Sequence, residues 1–598
     1  MKETLYSALL ASPSVLAAYE SDGHLKSFCW PYKDAFHNHL RFFIMGIVQN
    51  GKCIWLDPKR DQLSMEWVRP LEQLKLRWHV HHPDARGLRV YLNARLINDN
   101  TIEHTYSIDA DELSGLHHTQ FWFLLAPEVG GQRPQFQCVR ARQSENTLKC
   151  DADPFTLTLS CASAEGFKYA AAAQLDGDND LGALITDFIR HPAAFRRIEM
   201  GSCAAVALSP VVPWNHKYTL RLQVNDQNQT QPAIAQPKTE REHQSLSLAV
   251  LDALTCTGGG LLASAECDWE MRHSGGYGFV WPRDAAFAGL ALCESGHWER
   301  ATQLGNHLAV SLNGERDFEQ RYTASGHPAP SWCVTQPDQR PLVCLFWIEL
   351  LNAGKVEVAV HDQLISQLNV CLAAMAEELL SAPKKALTGF DLWEEREGQH
   401  FFALVCAYGA LLRGTKYAMT PEATLLYERA TQVAVGLAHE FFNEAHTLPA
   451  RTRHPDGALD FTPDASLLAC LYPVPEFPLP QDTKLNIFSE LRKSLAFGCG
   501  YRRYPNDPYR SGGCWPLVGL WFGLSLGSLA EQPAQQPNIK EILQQAAAAS
   551  NPLGLLPEQV DPHSGEPSWI VPLGWSHAFF LQLSHRLQKS NDLQKFVE

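Results

Sequence analysis

Glutamate residues set among aromatic side chains are the strongest chemical signal in this sequence. Residues 389–398 read GFDLWEEREG, so Glu394 and Glu395 directly follow Trp393. Adjacent residues of a helix point about 100° apart, and the two carboxylates therefore cannot share one function. Taken alone, the pair is typical of the first turn of a helix, where acidic groups complement the helix dipole. The other interpretation is that one of them takes part in catalysis.

A further glutamate, Glu558, lies in the proline- and glycine-bounded stretch GLLPEQVDPHSGEPSWIVPLGWSHA. A single glutamate in a loop is usually only solvated. Together with Glu394, however, it supplies the minimum needed to cleave an acetal, namely a protonated acid for the leaving oxygen and an ionised base for water.

Alternating aromatic residues precede an arginine and an aspartate in GGYGFVWPRDAAF, where Tyr277, Phe279 and Trp281 are followed by Arg283 and Asp284. One interpretation is that Asp284 is a helix N-cap with Arg283 as its ion-pair partner. The functional interpretation is a binding wall in which aromatic faces stand beside a forked donor and an acceptor that can bind vicinal hydroxyls.

Two other loops have a similar composition. The stretch PSWCVTQPDQRP contains Trp332, Gln336 and Asp338, and YRRYPNDPYRSGGCWP places Arg502, Arg503 and Arg510 among tyrosine and tryptophan. Each loop taken alone is equally compatible with an ordinary polar surface turn.

The elements that must position these loops fall into two parts, because 598 residues exceed what one core usually holds. Residues 1–225 alternate apolar and polar side chains in short runs separated by turn residues, which predicts antiparallel strands in a β-sandwich. Residues 226–245 lack periodicity and predict a linker. Residues 246–598 carry apolar stripes at helical spacing, predicting about a dozen helices. Long loops between these helices favour a toroid of helix pairs over a simple bundle, so the chain is predicted to be a multidomain α+β protein.

Composition also excludes some partners. The net charge of −15 argues against nucleic acid or an anionic membrane as the main partner. The sixteen cysteines stand singly in apolar segments without a CxxC pair, as buried reduced thiols do. The apolar stretch near the N-terminus is broken by Ser and Pro and lacks a basic region, so we expect a cytoplasmic protein.

Two groups of residues could be considered as metal ligands, but neither is expected to be one. Histidines in HVHHPD are better explained as part of a surface loop, and the aspartates of LDGDNDLGALITD have Leu181 where a calcium loop needs glycine. The histidines are His79, His81 and His82, and the aspartates are Asp176, Asp178, Asp180 and Asp187.

Taken in order, the loops resemble glycoside hydrolase family fifteen, the glucoamylase family, from about residue 240 to about residue 590. The segments YGFVWPRD, FDLWEEREG before HFF, RRYPND followed by GGCWP, and PEQ followed by LGWSHA occur in the order and approximate spacing of that family. The N-terminal half resembles the β-sandwich that precedes the catalytic domain in bacterial members.

The resemblance implies an (α/α)6 barrel that needs no metal or organic cofactor. It implies that Glu394 is the general acid and Glu558 the general base of an inverting hydrolysis, which releases β-D-glucose from a non-reducing end. Inversion is associated with carboxyl groups about 6.5–9.5 Å apart. The acid must stay protonated near neutral pH, which requires an apolar wall or a nearby negative charge to raise its pKa; Trp393 and Glu395 are the expected sources.

Sugar-binding roles are implied for a larger set of residues, of which Arg283 and Asp284 would hold hydroxyls of the terminal glucose. The set is Tyr277, Trp281, Arg283, Asp284, Trp332, Asp338, Asp391, Trp393, Glu395, Arg503 and Trp515.

Specificity stays open at this point. Phe279 stands where fungal relatives carry tyrosine, and Asn506 replaces a common acid. The family also contains glucodextranases, isomaltose-cleaving enzymes and trehalases, and YGFVWPRD favours the glucoamylase and isomaltose side. The alternatives are a trehalase or a catalytically inactive carbohydrate-binding protein. The expected substrate is an oligosaccharide or the end of a glucan, and the oligomeric state is left open.

Overall fold

The structure is a computed structural model, and the residues that it describes exclude the predicted linker after Asp226 and the aspartates of the calcium-like stretch. The described residues are 7–34, 37–49, 52–57, 60–85, 87–111, 119–129, 139–144, 146–161, 167–174, 197–200, 204–210, 217–226, 246–266, 276–333, 335–529 and 539–597.

The chain divides into two compact units. The first consists of Thr4–Leu254 with Ala265–Gly278, and the second contains Thr255–Ser264 with Phe279–Glu598. The helix Leu246–Leu254, which was expected to open the helical domain, groups with the first unit.

Antiparallel strands build the first unit, as the alternating pattern predicts. The strands are β1 (Ala8–Ala11), β2 (Leu16–Tyr19), β3 (Leu25–Cys29), β4 (Leu40–Gln49), β5 (Lys52–Trp55), β6 (Gln62–Arg69), β7 (Gln73–His79), β8 (Leu88–Asn98), β9 (Thr101–Ala110), β10 (Thr119–Pro127), β11 (Val139–Gln143), β12 (Thr147–Ala152), β13 (Phe155–Cys161), β14 (Phe167–Gln174), β15 (Arg197–Met200), β16 (Ala204–Pro210) and β17 (Lys217–Asp226).

These strands form two sheets that share one core. One sheet has the order β1-β2-β3-β4-β10-β16-β14, with β5 paired to β4, and the other has the order β15-β11-β12-β13-β17-β9-β8-β7-β6. Aromatic rings from the two sheets meet in the space between them. The ring centroids of Phe123 and Tyr106 are 5.0 Å apart, and those of Phe121 and Tyr218 are 5.5 Å apart. The predicted β-sandwich is confirmed.

Helices dominate the second unit. After α1 (Leu246–Leu254) of the first unit come α2 (Pro282–Glu294), α3 (Trp298–Leu312), α4 (Gln339–Asn352), α5 (Val358–Ser381), α6 (Phe401–Gly414), α7 (Pro421–His439), α8 (Gln481–Leu495), α9 (Pro516–Ser525), α10 (Ile539–Ala548) and α11 (Gly574–Val597). Short strands between them are β18 (Thr388–Phe390), β19 (Glu397–His400), β20 (Thr452–Arg453), β21 (Leu459–Asp460), β22 (Ala496–Phe497) and β23 (Gly500–Tyr501).

Six of these elements close into an inner ring. Helix α2 packs against α4 and α11, α4 packs against α6, and α6 packs against the 3-10 helix Ala465–Cys470. This 3-10 helix also contacts α9, and α9 packs against α11, which closes the ring. Helices α2, α6 and α9 are buried on nearly every side, which explains their apolar sequences. The outer helices α3, α5, α7, α8 and α10 alternate with them along the chain and bury one face only. In the described part of the chain, a ring of six inner elements, with five outer helices alternating between them, is the architecture expected of an (α/α)6 barrel.

The alternation of inner and outer helices fixes where the candidate residues meet. Each outer helix returns the chain, so the inner elements run in one direction and the loops preceding them gather at one end of the ring. Those loops carry Asp338, Glu394, Trp515 and Glu558, and Arg283 lies in the first turn of α2 directly after one of them. One helix, α5, is long and apolar enough to cross a membrane by length and composition, and it packs here against α3, α4 and α7.

Candidate active site

Glu394 lies in the turn of a β-hairpin and not at the start of a helix. Residues 391–396 connect β18 to β19, which pairs onward with β20. The backbone of Glu394 has a φ of 64°, a left-handed conformation that non-glycine residues seldom adopt outside constrained sites. The helix-start interpretation of the two glutamates is therefore wrong.

Asp391 organises this turn. Its Oδ1 accepts hydrogen bonds from the amides of Glu395 at 2.9 Å and Arg396 at 3.3 Å, and its Oδ2 accepts one from the Arg396 guanidinium at 2.7 Å. Its carbonyl oxygen accepts from the Glu394 amide at 2.9 Å. These bonds hold the turn in the conformation that presents Glu394, while the sugar-binding role of Asp391 stays a prediction.

Arg283 connects the start of α2 to two other loops. Its Nη2 donates to Glu394 Oε1 at 2.9 Å and its Nη1 donates to Asp338 Oδ2 at 3.1 Å. The Arg283 side chain is only 3% exposed, so the charge-assisted bond to the equally buried Asp338 is shielded from water, and the bond to Glu394 is partly shielded. The N-cap interpretation of Asp284 is wrong, because α2 begins at Pro282 with Trp281 as its N-cap residue.

The electrostatics of this cluster favour a protonated Glu394. Burial raises the pKa of Glu394 to about 7; the Arg283 charge opposes the rise and the Asp284 charge adds to it. Burial likewise raises the pKa of Asp284 to about 6, against the opposing charge of Arg283. The sequence predicted that an apolar environment and a nearby negative charge would raise the pKa of Glu394, and that charge is supplied by Asp284. Glu395, the expected source, is directed elsewhere.

Glu395 pairs with the loop before α9. Arg503 Nη2 donates to Glu395 Oε1 at 2.7 Å, and the Tyr504 hydroxyl donates to Oε2 at 2.5 Å. Arg503 is held in turn by both carboxylate oxygens of Asp507, at 2.6 and 2.7 Å. Because adjacent residues of the turn point in different directions, Glu394 faces Arg283 while Glu395 faces Arg503.

An aromatic wall stands over Arg503. The rings of Trp393 and Trp515 lie 5.8 Å apart, and the Arg503 guanidinium is 5.1 Å from the first and 4.8 Å from the second. The Trp393 indole donates to Asp464 at 2.9 Å, and Arg451 binds the same carboxylate at 3.1 Å. Asp464 and Arg451 were not anticipated, since the sequence around them carries no recognisable motif.

Glu558 reaches the same end of the ring on a second hairpin. Its amide donates to the carbonyl of Ile570 at 2.9 Å, and its side chain is almost fully buried. Two residues further, Val560 exchanges backbone bonds of 2.8 and 2.9 Å with Cys514, which directly precedes Trp515. Trp515 contacts Trp393 beside Glu394, so the two predicted carboxylates come from loops that meet at one aromatic wall.

Trp281 and Trp332 form a second aromatic surface. Their rings are 5.6 Å apart in an edge-on arrangement, and Trp332 is 43% exposed. Arg321 lies against both rings and was missed by the sequence analysis. Tyr277 belongs to the first unit, where its amide donates to the Glu266 carboxylate at 3.1 Å, and its role in the wall stays a prediction.

Some polar atoms of the site are buried without a partner among the described residues. They include the indole nitrogens of Trp281 and Trp515 and Oδ1 of Asp338. Buried polar groups are rarely left unpaired, so these atoms are suited to a polar ligand. Among the described residues no cluster of histidine, cysteine, aspartate and glutamate is arranged to hold a metal ion.

Comparison with known proteins places this arrangement in context. The profile of Glycosyl hydrolases family 15 matches residues 248–585, which is over half of the chain. A glycosyl hydrolase of Methanocaldococcus jannaschii is 24% identical over 318 residues, covering 51% of this chain and 50% of that protein. The isomaltose glucohydrolase of Kribbella flavida is 26% identical over 213 residues, covering 33% of this chain and 52% of that protein. The chain thus spans about half the length of these curated relatives.

A bacterial glucoamylase solved in complex with acarbose has a similar fold over nearly the whole chain. The TM-score is 0.76 at 16% identity, with 98% of this chain and 95% of that chain covered. The resemblance inferred from the loop motifs is therefore confirmed. The chain belongs to glycosyl hydrolase family 15 and has a glucoamylase-like fold.

Proposed function

We propose that the protein is an inverting, exo-acting α-glucosidase that releases β-D-glucose from malto- or isomalto-oligosaccharides. The observation that carries this proposal is the half-buried Glu394, bound to Arg283 and with its pKa raised to about 7. A carboxyl group in this state can donate a proton near neutral pH. Glu558, on a separate hairpin at the same end of the ring, supplies the second carboxylate.

In the proposed reaction, Glu394 gives its proton to the glycosidic oxygen as the bond from that oxygen to C1 breaks. Glu558 removes a proton from a water molecule, whose oxygen forms the new bond to C1 from the opposite face. The products are the shortened sugar and β-D-glucose. The excess proton on Glu558 and the missing proton on Glu394 are then exchanged with solvent.

Sugar recognition rests on the groups around the two acids. Arg283 and Asp284 would contact hydroxyls of the terminal glucose, and the buried indole donors of Trp281 and Trp515 are suited to further hydroxyls. Trp332 offers an exposed ring to the apolar face of a sugar. Asp338 would act through Arg283, which it binds at 3.1 Å.

The proposal has two forms, which differ in the glycosidic linkage that the protein prefers. Similarity to the relative named isomaltose glucohydrolase supports action on α-1,6 linkages, as in isomaltose. Similarity of the fold to a glucoamylase is compatible with action on α-1,4 linkages. Cytoplasmic action is also part of the proposal and is supported by cysteine usage, since nearly all of the described cysteines are buried, as reduced thiols usually are.

A substrate panel tests the proposal. Purified protein incubated with maltose, isomaltose, panose, soluble starch and trehalose should release glucose from at least one of the first four. The ratio of kcat/KM values between maltose and isomaltose then assigns the linkage. Cleavage of trehalose alone would replace the proposal by a trehalase, and release of glucose from none of them would overturn it.

A further inference from the structure

Arg321 is a fully buried cation enclosed by aromatic rings. The centre of its guanidinium lies 4.6 Å from the ring of Phe279, 4.8 Å from Trp332 and 5.4 Å from Trp281. Its Nε donates to the carbonyl of Pro330 at 2.6 Å. Close contact of one cation with several aromatic rings is characteristic of arginine, whose planar guanidinium lysine does not reproduce.

The backbone around Arg321 fastens it to the segment that leads into α2. The adjacent residue, Tyr322, exchanges two backbone hydrogen bonds of 2.8 Å with Val280, between Phe279 and Trp281. The residue before it, Gln320, accepts at its side-chain oxygen the amide of Trp332 at 3.1 Å. Arg321 therefore sits where the chain segments carrying all three rings are joined.

The stability of the fold alone does not call for a cation at this position. Burial of a charge is costly, and even buried ion pairs can often be replaced by apolar residues of similar volume without loss of stability. Trp332, in contrast, is 43% exposed and therefore offers ring surface to a ligand. A rigid planar support under such a ring would reduce the entropy lost when a sugar stacks on it.

We propose that Arg321 is a positioning residue that fixes Trp332 as a stacking surface for the sugar beside Glu394. This inference rests on the proposed function of the site. Arg321 also acts electrostatically, because its positive charge, like that of Arg283, lowers the pKa of Glu394 while Asp284 raises it. The side chain thereby links the binding surface to the protonation of the acid.

Two variants separate these effects. Arg321→Met keeps the length of the side chain but removes the charge and the planar fork, and Arg321→Lys keeps the charge but removes the fork. Both should raise KM by about tenfold or more, since the Trp332 ring loses its support. Only Arg321→Met should move the alkaline limb of the pH profile of kcat/KM to higher pH.

Arg340 provides the matched control. It is also a buried arginine, 2% exposed, but it binds Glu378 at 2.8 Å and the carbonyl of Arg316 at 2.9 Å. Arg340→Met is expected to lower the melting temperature without changing KM or the pH profile. An unchanged KM in both Arg321 variants, or the same kinetic change in Arg340→Met, would overturn the inference.

A double-mutant comparison tests whether Arg321 acts through Trp332. If it does, Arg321→Lys should add little to the KM increase of Trp332→Ala, because coupled residues are not additive. Full additivity would contradict the inference. Should Arg321→Met fail to fold, Arg321→Lys and this comparison decide the matter. A wild-type protein without activity on any of the substrates would instead refute the proposed function. In that case the inference is tested by measuring maltose binding through the change in tryptophan fluorescence.

Discussion

Arg283 Nη2 donates a hydrogen bond of 2.9 Å to Glu394 Oε1, so a side chain from the start of one inner helix holds an acid presented by the loop before another. The same guanidinium binds Asp338 from a third loop at 3.1 Å. One buried cation thus fixes two carboxylates. The pKa of Glu394 still rises to about 7 because the effect of burial exceeds that of the Arg283 charge.

Loss of either carboxyl group should abolish most of the activity. Glu394→Gln and Glu558→Gln are each expected to lower kcat on the preferred disaccharide by about 10²–10⁴-fold, the usual contribution of a general acid or base. The two should differ on α-glucosyl fluoride, whose leaving group needs little protonation: Glu394→Gln should recover there and Glu558→Gln should not. The exposed Glu444→Gln serves as the control. Activity within about tenfold of wild type in either variant would remove that residue from its role.

The pH dependence follows from the raised pKa of Glu394. A general acid works only while protonated, so kcat/KM should fall as pH rises through about 7. In Asp284→Asn the negative charge that raises this pKa is lost, and the alkaline limb should move to lower pH. The exposed Asp456→Asn should leave the limb in place. A shift of the alkaline limb to higher pH in Asp284→Asn would contradict the assigned electrostatics.

Glu395 should affect binding and not the protonation of the acid. Its carboxylate is engaged by Arg503 and Tyr504, so Glu395→Gln is expected to raise KM by loosening the wall that carries Arg503. The alkaline limb of the pH profile should stay where it is. A shift of that limb to lower pH would restore the interpretation, drawn from the sequence, that Glu395 keeps the proton on Glu394.

Close packing of the inner ring can be tested at Gly289 in α2. A Cβ atom at this position would lie 2.4 Å from the ring of Phe346 in α4, so Gly289→Ala should destabilise the protein by about 1–3 kcal/mol. Gly436 in the outer helix α7 has no neighbour within 4 Å of the same position. Gly436→Ala should therefore be neutral or raise the melting temperature, because alanine favours the helix. Equal effects in thermal unfolding would show that inner and outer helices are packed alike.

The fold, and the location of Glu394 and Glu558 in loops of the helical unit, could be predicted from the sequence because the signal lies in local periodicity and in motifs with a fixed order. The switch from alternating strands to helical stripes separates the two parts, and the loops carrying Glu394 and Glu558 precede inner elements of the ring. The 3-10 helix Ala465–Cys470, which completes the ring, has no such periodicity and was not foreseen.

The details of the site could not be predicted because they depend on contacts between distant segments. Which of two adjacent glutamates faces which cation is decided by the left-handed backbone at Glu394, which the sequence does not reveal. Arg321 appears in the sequence as one charge in a polar stretch, and only the pairing of Tyr322 with Val280 brings it under Trp332.

The anomeric form of the first product tests the central claim most directly. Hydrolysis of the preferred disaccharide can be followed by proton NMR at early times, before mutarotation mixes the anomers. Direct attack of water activated by Glu558 on the bond protonated by Glu394 predicts β-D-glucose as the first product. Initial appearance of α-D-glucose would contradict the inverting mechanism and the roles assigned to both glutamates.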